Sequence, residues 1–315
     1  MGPKKDLQYS GADQFGDFAI ERVGISEVKR RIEIHWQSHQ YWMTARIAAF
    51  VRLPKNQRGI HMSRSAEMIE EAIAMNVVKP ARSLEEFAKR LLDSLLEMHE
   101  YTNHAEVSIE GDLILTKAEN GTRQDQKPYE LTVDAYVDLA ADKTKTYRGK
   151  IGLAAWGMTA CPCAQQMNID YIYDMVAARP DLDINPEKLE KLLQIIPVAS
   201  HNQRAVGRIQ IGIASLDSEI IDLLDLIELI ESSLSGRIRS VLKRPDEAEL
   251  VRTAHLYPRF VEDAARVMAT KLRDKRFVKI PDSSEIIITI NSFESIHLHN
   301  AVAEIHSTFG EIRNG

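Results

Sequence analysis

From Val28 onward hydrophobic and polar residues alternate. Val28, Ile32, Ile34 and Trp36 share one side of a two-residue repeat, the pattern of a half-buried strand, and Trp42 to Val51 supplies a partner. After the loop Pro54 to Ser65 the period changes. Met68, Ile69, Ile73 and Val77 make the apolar face of a helix over Ala66 to Val78. Ser83, with Glu86 three residues later, is a capping box that opens a second helix through Phe87, Leu91, Leu92 and Leu95. Strand patterns return at His104 to Thr116 and Tyr129 to Leu139, joined by a hairpin at Asn120-Gly121.

The second half repeats the order. Strands are expected at Thr144 to Trp156 and Arg204 to Ala214, helices at Ser218 to Leu234 and Pro258 to Arg273, and strands at Glu285 to Ile290 and Leu298 to His306. The sequence therefore divides into a polar arm (1–25, with Gly11, Gly16 and Gly24), a first unit (26–143) and a second (144–315). The second unit carries a partly helical insertion at about 165–199, broken by Pro180, Pro186 and Pro197. The fold class is α+β, antiparallel sheets backed by helix pairs.

Composition narrows the function. The 315 residues are 44% hydrophobic and 27% charged, the balance of an ordinary soluble chain. The longest apolar stretch, Ile151 to Met158, is far short of the roughly 20 residues of a membrane-spanning helix, so no membrane role is expected. A net charge of −6 argues against nucleic-acid binding on a broadly basic surface, and any polyanionic ligand needs a local basic pocket. Met1-Gly2-Pro3-Lys4-Lys5-Asp6 has no secretory core and no myristoylation signal, which points to the cytoplasm. Neither a Walker A loop nor a G-x-G-x-x-G turn is present, which disfavours P-loop and Rossmann nucleotide handling.

Four clusters bear chemistry. Cys161-Pro162-Cys163 holds the only two cysteines, and in an extended segment both thiols face one side, suiting zinc or ferrous iron; two small buried side chains is the equal alternative. His297-Leu298-His299 repeats that geometry with imidazoles while Leu298 enters the core; solvated edge-strand histidines is the other reading. Ser200-His201-Asn202-Gln203-Arg204 and His61-Met62-Ser63-Arg64 suit polar recognition, though each alone reads as a polar loop. Glu247, after Lys243-Arg244-Pro245-Asp246, and Glu262, after Tyr257-Pro258-Arg259-Phe260, are not separated by spacing from the rest of the 46 acidic residues.

Taken jointly, Gly59-Ile60-His61-Met62-Ser63-Arg64, Cys161-Pro162-Cys163, Ser200-His201-Asn202-Gln203-Arg204, Phe260-Val261-Glu262-Asp263 and Phe293-Glu294-Ser295-Ile296-His297-Leu298-His299-Asn300-Ala301 resemble the type IB GTP cyclohydrolases. They follow the family's order and span most of the chain. The resemblance is strongest to the archaeal branch that opens methanopterin synthesis. Bacterial members place the histidine loop soon after the cysteines and usually read Pro-Cys-Pro-Cys, whereas here His201 is 38 positions beyond Cys163 and Ala160 precedes Cys161.

The resemblance implies a tunnelling fold of two tandem T-fold units. It also implies a homo-oligomer, dimer or tetramer, with active sites at subunit interfaces. It assigns Cys161, His201 and Glu247 as metal ligands, Cys163, His297 and His299 as proton donors and acceptors, and Glu262 as the anchor of the guanine edge. His61, Arg64, Arg204, Lys243 and Arg244 are its further substrate-binding candidates. The metal it implies is Fe(II), one per subunit, with Mn(II) or Zn(II) as substitutes. The implied reaction opens GTP at C8, releases formate and forms 7,8-dihydroneopterin 2′,3′-cyclic phosphate. Three alternatives stand beside it: a type IB enzyme making 7,8-dihydroneopterin triphosphate for folate or queuosine, another tunnelling-fold enzyme acting on a pterin or deazaguanine, and a non-catalytic metal-binding protein.

Overall fold

The structure, a computed structural model, describes residues 18–36, 39–119, 123–217 and 221–315. Residues 1–17 of the expected arm, the Asn120-Gly121 connection and Ser218 lie outside the described residues. Two compact units form: Met1–Ile114 with Glu130–Gly152 and Ile211–Glu219, and Leu115–Tyr129 with Leu153–Gln210 and Ile220–Gly315. Among the described residues no helix is long and apolar enough to cross a membrane.

In the first unit, β1 (Ile20–Trp36) pairs antiparallel with β2 (His39–Leu53), and β2 with β3 (His104–Glu119). The end of the expected arm is strand. Register shifts between Ile20 and Val23 and between Ile25 and Val28, with Glu27 at φ 59°, interrupt the alternation there and hide the strand from a periodicity count. Ile32, Ile34, Met43, Ala45, Ile47, Ala49 and Val51 are buried on one sheet face. Against that unit's core lie α1 (Met62–Val78), with Met68 and Ile69 buried, and α2 (Leu84–Met98), with Phe87, Leu91, Leu92 and Leu95 buried. Each such fully buried side chain contributes about 1.5–3 kcal/mol. Ser83 Oγ accepts from Glu86 N at 3.1 Å as expected, while the Glu86 carboxylate reaches one residue further back, to Arg82 N at 3.0 Å.

At the end of α2 the fully buried His99 ties the two helices. Its Nε2 meets Ser65 Oγ at 3.1 Å, its Nδ1 meets Tyr101 OH at 2.7 Å, and Arg64 Nη1 donates to Met98 O at 3.2 Å. Burial, followed by the nearby Arg64 and His61, pushes the imidazole down to about 4.

In the second unit, β4 (Arg123–Leu139) contributes its N-terminal part, and β5 (Lys145–Ala160), β6 (Asn202–Ile213), β8 (Glu285–Ser292) and β9 (Ala301–Thr308) lie in that order. The two-residue β7 (Gly236–Arg237) pairs with β5 opposite Gly157 and Met158. A Cβ on Gly157 would sit 2.4 Å from Leu234 Cδ1 and 2.9 Å from Gly236 O, so glycine is what admits β7. Within this unit α7 (Val261–Lys271) packs on β8, whose Ile286, Ile288 and Ile290 are buried, and on β9, and α5 (Leu223–Ser233) packs on α7 and β7.

The expected insertion holds α3 (Pro162–Ala177) and α4 (Pro186–Leu193); no residue of α3 is buried. A helix absent from the sequence reading, α6 (Arg244–Leu256), lies between α5 and α7, and α8 (Phe309–Asn314) ends the chain. Only Ala254 and His255 of α6 are buried, so it lacks the apolar stripe that marks a packed helix.

The His99 imidazole takes up protons less readily folded than unfolded. Its stabilisation is complete above the unfolded value of about 6.5 and is lost as pH falls from there toward about 4. Thermal melts of His99→Gln should show a shallower fall of Tm across that window than the parent; parallel curves would refute it.

Candidate functional site

The end of β5 gathers the site. Cys161 N donates to His201 O at 3.1 Å, and Ala160 O accepts from Arg259 N at 3.0 Å, so three remote segments are paired backbone to backbone. The Cys-Pro-Cys segment is not extended, as expected from its sequence, but turns into α3. Pro162 at the first helical position has the φ a helix start wants, Cys161 becomes the N-cap, and its sulfur accepts from Ala164 N at 3.4 Å. The two thiols consequently part: Cys161 is half-buried and lines a cavity of about 240 Å³, whereas Cys163 is exposed on the first turn of α3 and does not line it.

His201 enters the cavity just before β6, and Gln203, two residues on, points to the same side. The buried Gln203 amide is the hub. Its Oε1 lies 3.0 Å from His201 Nδ1, and its Nε2 donates to Thr159 Oγ1 at 3.0 Å, Ser292 Oγ at 3.2 Å and Glu294 Oε1 at 3.1 Å. An amide oxygen only accepts, so the network assigns the His201 proton to Nδ1 and leaves the Nε2 lone pair for a ligand. Ser292 Oγ also donates to Glu294 Oε1 at 2.9 Å, and Glu294 Oε2 stands 3.9 Å from His201 Nδ1.

His297 and His299 line the same cavity from the loop between β8 and β9. Their rings stack at 5.2 Å, and His297 stands edge-on to His201 at 6.3 Å. The strand expected from Leu298 starts only at Ala301, and Leu298, expected in the core, is wholly exposed at 109%. The β8–β9 ladder ends at the pair Ser292 and Ala301, and Ser292 and Glu294, on the inward side of the chain, meet Gln203. Glu262 completes the cavity from the first turn of α7, where Asp263 Oδ2 caps Phe260 N at 3.1 Å.

Cys161, His201, Glu262, His297 and His299 thus share one cavity. Glu247, Lys243 and Arg244 sit exposed at the start of α6 and do not line it; Arg204 projects from β6 over the Trp156 ring at 5.2 Å. His61 and Arg64 belong to the first unit, at the start of α1. Thr159, Gln203, Arg259, Ser292 and Glu294 were not assigned roles by sequence reasoning; the one available signal was Gln203 at two residues from His201.

Comparison with known proteins gives these residues a context. The family described as type I GTP cyclohydrolase folE2 matches residues 5–303. GTP cyclohydrolase MptA of Methanococcus aeolicus is 34% identical over 298 residues, 94% of each chain. MptA 1 of Methanocella arvoryzae is 34% identical over 310 residues, 98% of this chain and 95% of that one. MptA of Methanosphaera stadtmanae is 35% identical over 297 residues, 94% and 93% of the two chains. Among solved structures, a hyperthermostable mutant of urate oxidase from Bacillus sp. TB-90 aligns with a TM-score of 0.53 at 9% identity, covering 93% of this chain and 99% of that one. A second structure of that enzyme aligns at 0.51 and 10%, covering 92% and 100%. At such identity the likeness is one of fold, the tandem T-fold that urate oxidase exemplifies. The matched length, and the third of its residues shared with the archaeal relatives, make the chain a member of the type IB GTP cyclohydrolase family.

Proposed function

We propose that the chain hydrolyses GTP at C8 with release of formate and forms 7,8-dihydroneopterin 2′,3′-cyclic phosphate, the first step of methanopterin biosynthesis. In this reading it works as a homo-oligomer with interface active sites, its T-fold repeats running over 26–143 and 144–315. The observation that carries the proposal is the convergence of Cys161, His201, Glu262, His297 and His299 on one cavity, in a chain whose MptA-named relatives match it over 94% of its length or more.

The donor chemistry fits a divalent metal, since a thiol and an imidazole with its Nε2 lone pair free of the Gln203 contact face the same cavity. Among the described residues no three His, Cys, Asp or Glu side chains form a ready-made ligand set. Glu247, exposed on α6, is the proposed third ligand, and supply across a subunit interface accounts for its absence from its own chain's cavity. Bound Fe(II) would supply a water that ionises near neutral pH. Glu262 offers two acceptor oxygens to the guanine N1–H and exocyclic amine. His297 and His299, which line the cavity, take and return protons, whereas Cys163, exposed on α3, stands outside it. Arg64, Arg204, Lys243 and Arg244 are the proposed holders of the triphosphate. Gln203 holds the His201 ring and its tautomer.

Metal-stripped protein, prepared anaerobically and reloaded with Fe(II), Mn(II) or Zn(II), should release formate from GTP and yield a pterin that fluoresces after oxidation. No formate with any metal would overturn the proposal, and a product whose mass retains three phosphates would put the enzyme in the folate-type branch. His201→Ala should lose bound metal, whereas Glu262→Gln should keep it and lose GTP turnover; metal loss in Glu262→Gln would reverse the roles of the two carboxylates. Gln203→Leu should weaken metal binding by roughly 10–100-fold, read by metal titration.

A further inference from the structure

Three successive backbone carbonyls lead into His201, and each meets a side-chain nitrogen from a helix of the same unit. Gln165 Nε2 donates to Val198 O at 2.9 Å, Asn168 Nδ2 donates to Ala199 O at 2.8 Å, and His255 Nε2 lies 3.0 Å from Ser200 O. Gln165 and Asn168 belong to α3, and His255 to the last turn of α6. The Gln165 amide also reaches α6 itself, donating to His255 O at 2.6 Å. Residues 198–201 belong to no helix or strand, so these side chains do for their carbonyls what a ladder does elsewhere.

Helical spacing explains why α3 supplies two of the three. Cys161, Gln165 and Asn168 are four and three positions apart, which puts the capping residue and both amides on one face of the helix. No residue of α3 is buried, so hydrogen bonds, not apolar packing, hold that face to the loop. The loop bonds back to the cap: Ser200 Oγ donates to Cys161 O at 2.5 Å, and Cys161 N to His201 O at 3.1 Å. The insertion at about 165–199 is thereby closed at its neck. Gln165 is 33 positions from Val198 and Asn168 is 31 from Ala199, and the two ends meet beside the cavity that Cys161 and His201 line.

We infer that Gln165 and Asn168 of α3, with His255 of α6, are positioning residues for the metal site: they fix the backbone of 198–200 so that His201 faces Cys161 before any metal is bound. The inference rests on the proposed reading of Cys161 and His201 as ligands. It differs from the part played by Gln203, which holds the imidazole ring, because these three act on the backbone that carries the ring. It gives the insertion a task at its neck, and it links the segment of His201 to α6, whose first turn carries Glu247.

The test uses the full chain and cobalt(II), whose ligand-field and thiolate charge-transfer absorption reports the coordination itself; amide hydrogen exchange is followed on the metal-free protein. The double variant Gln165→Met, Asn168→Ala removes three donated hydrogen bonds. It should bind cobalt about tenfold more weakly or worse, with an altered spectrum. Exchange should quicken over 198–203 and stay unchanged over 286–290 of β8. Asn168→Ala alone, at an exposed position, replaces the double variant if that does not fold, and should weaken cobalt about threefold with the same local gain in exchange. Parent-like cobalt affinity and spectrum in the folded variant would overturn the inference, and so would exchange that quickens equally in β8, the sign of general destabilisation. His201→Ala scores the ligand reading separately. Parent-like cobalt binding there counts against that reading, whereas lost binding there beside parent-like binding in the double variant defeats the positioning inference alone.

Discussion

Two backbone hydrogen bonds at the end of β5, Cys161 N to His201 O and Arg259 N to Ala160 O, fix the distances on which the site depends. A peptide pairing leaves little freedom between the residues it joins, so the thiol of Cys161 and the imidazole of His201 are set side by side before any ligand arrives. The Gln203 amide then extends this order to side chains. Its oxygen accepts from the His201 imidazole and from Ser295 Oγ, and its nitrogen donates toward Thr159, Ser292 and Glu294, so a shift of any one is resisted by the others. Preorganisation of this kind lets a site hold a charge or a metal without reordering itself at the moment of binding.

Much of the architecture was legible because the strands and the helices α1 and α2 are one-sided. Alternation at Ile32 and Ile34 and the stripe Phe87, Leu91, Leu92 and Leu95 correspond to buried faces. Three features escaped for identifiable reasons. The bulged start of β1 breaks its own period, and α6 has too little buried surface to imprint one. The loop with His297 and His299 imitates a strand locally, although the β8–β9 pairing ends at Ser292 and Ala301, which sequence alternation does not reveal. Of the site, the ligand-type residues could be found as clusters. The supporting amide and hydroxyls could not, because Gln203, Thr159 and Ser292 are ordinary residues until the fold brings them together.

Charge in this molecule is locally mixed. Around one recess of the second unit Arg237, Arg239 and Arg259 stand among Glu231, Asp246 and Glu249, so guanidinium groups of a chain with net charge −6 are balanced where they gather. Partly buried pairs of this kind are screened by salt much less than charges spread over an outer surface.

The hydroxyls of Thr159 and Ser292, 2.8 Å apart, are separated by 133 residues of chain. Closing so long a loop costs entropy that only the finished packing of β8 against β6 offsets. Contacts of this range recur through the site, and non-local pairings are slow to form. The Gln203 amide gains Thr159, Ser292 and Glu294 as partners only when three distant segments of the second unit have met, so the order of the site depends on the completed unit.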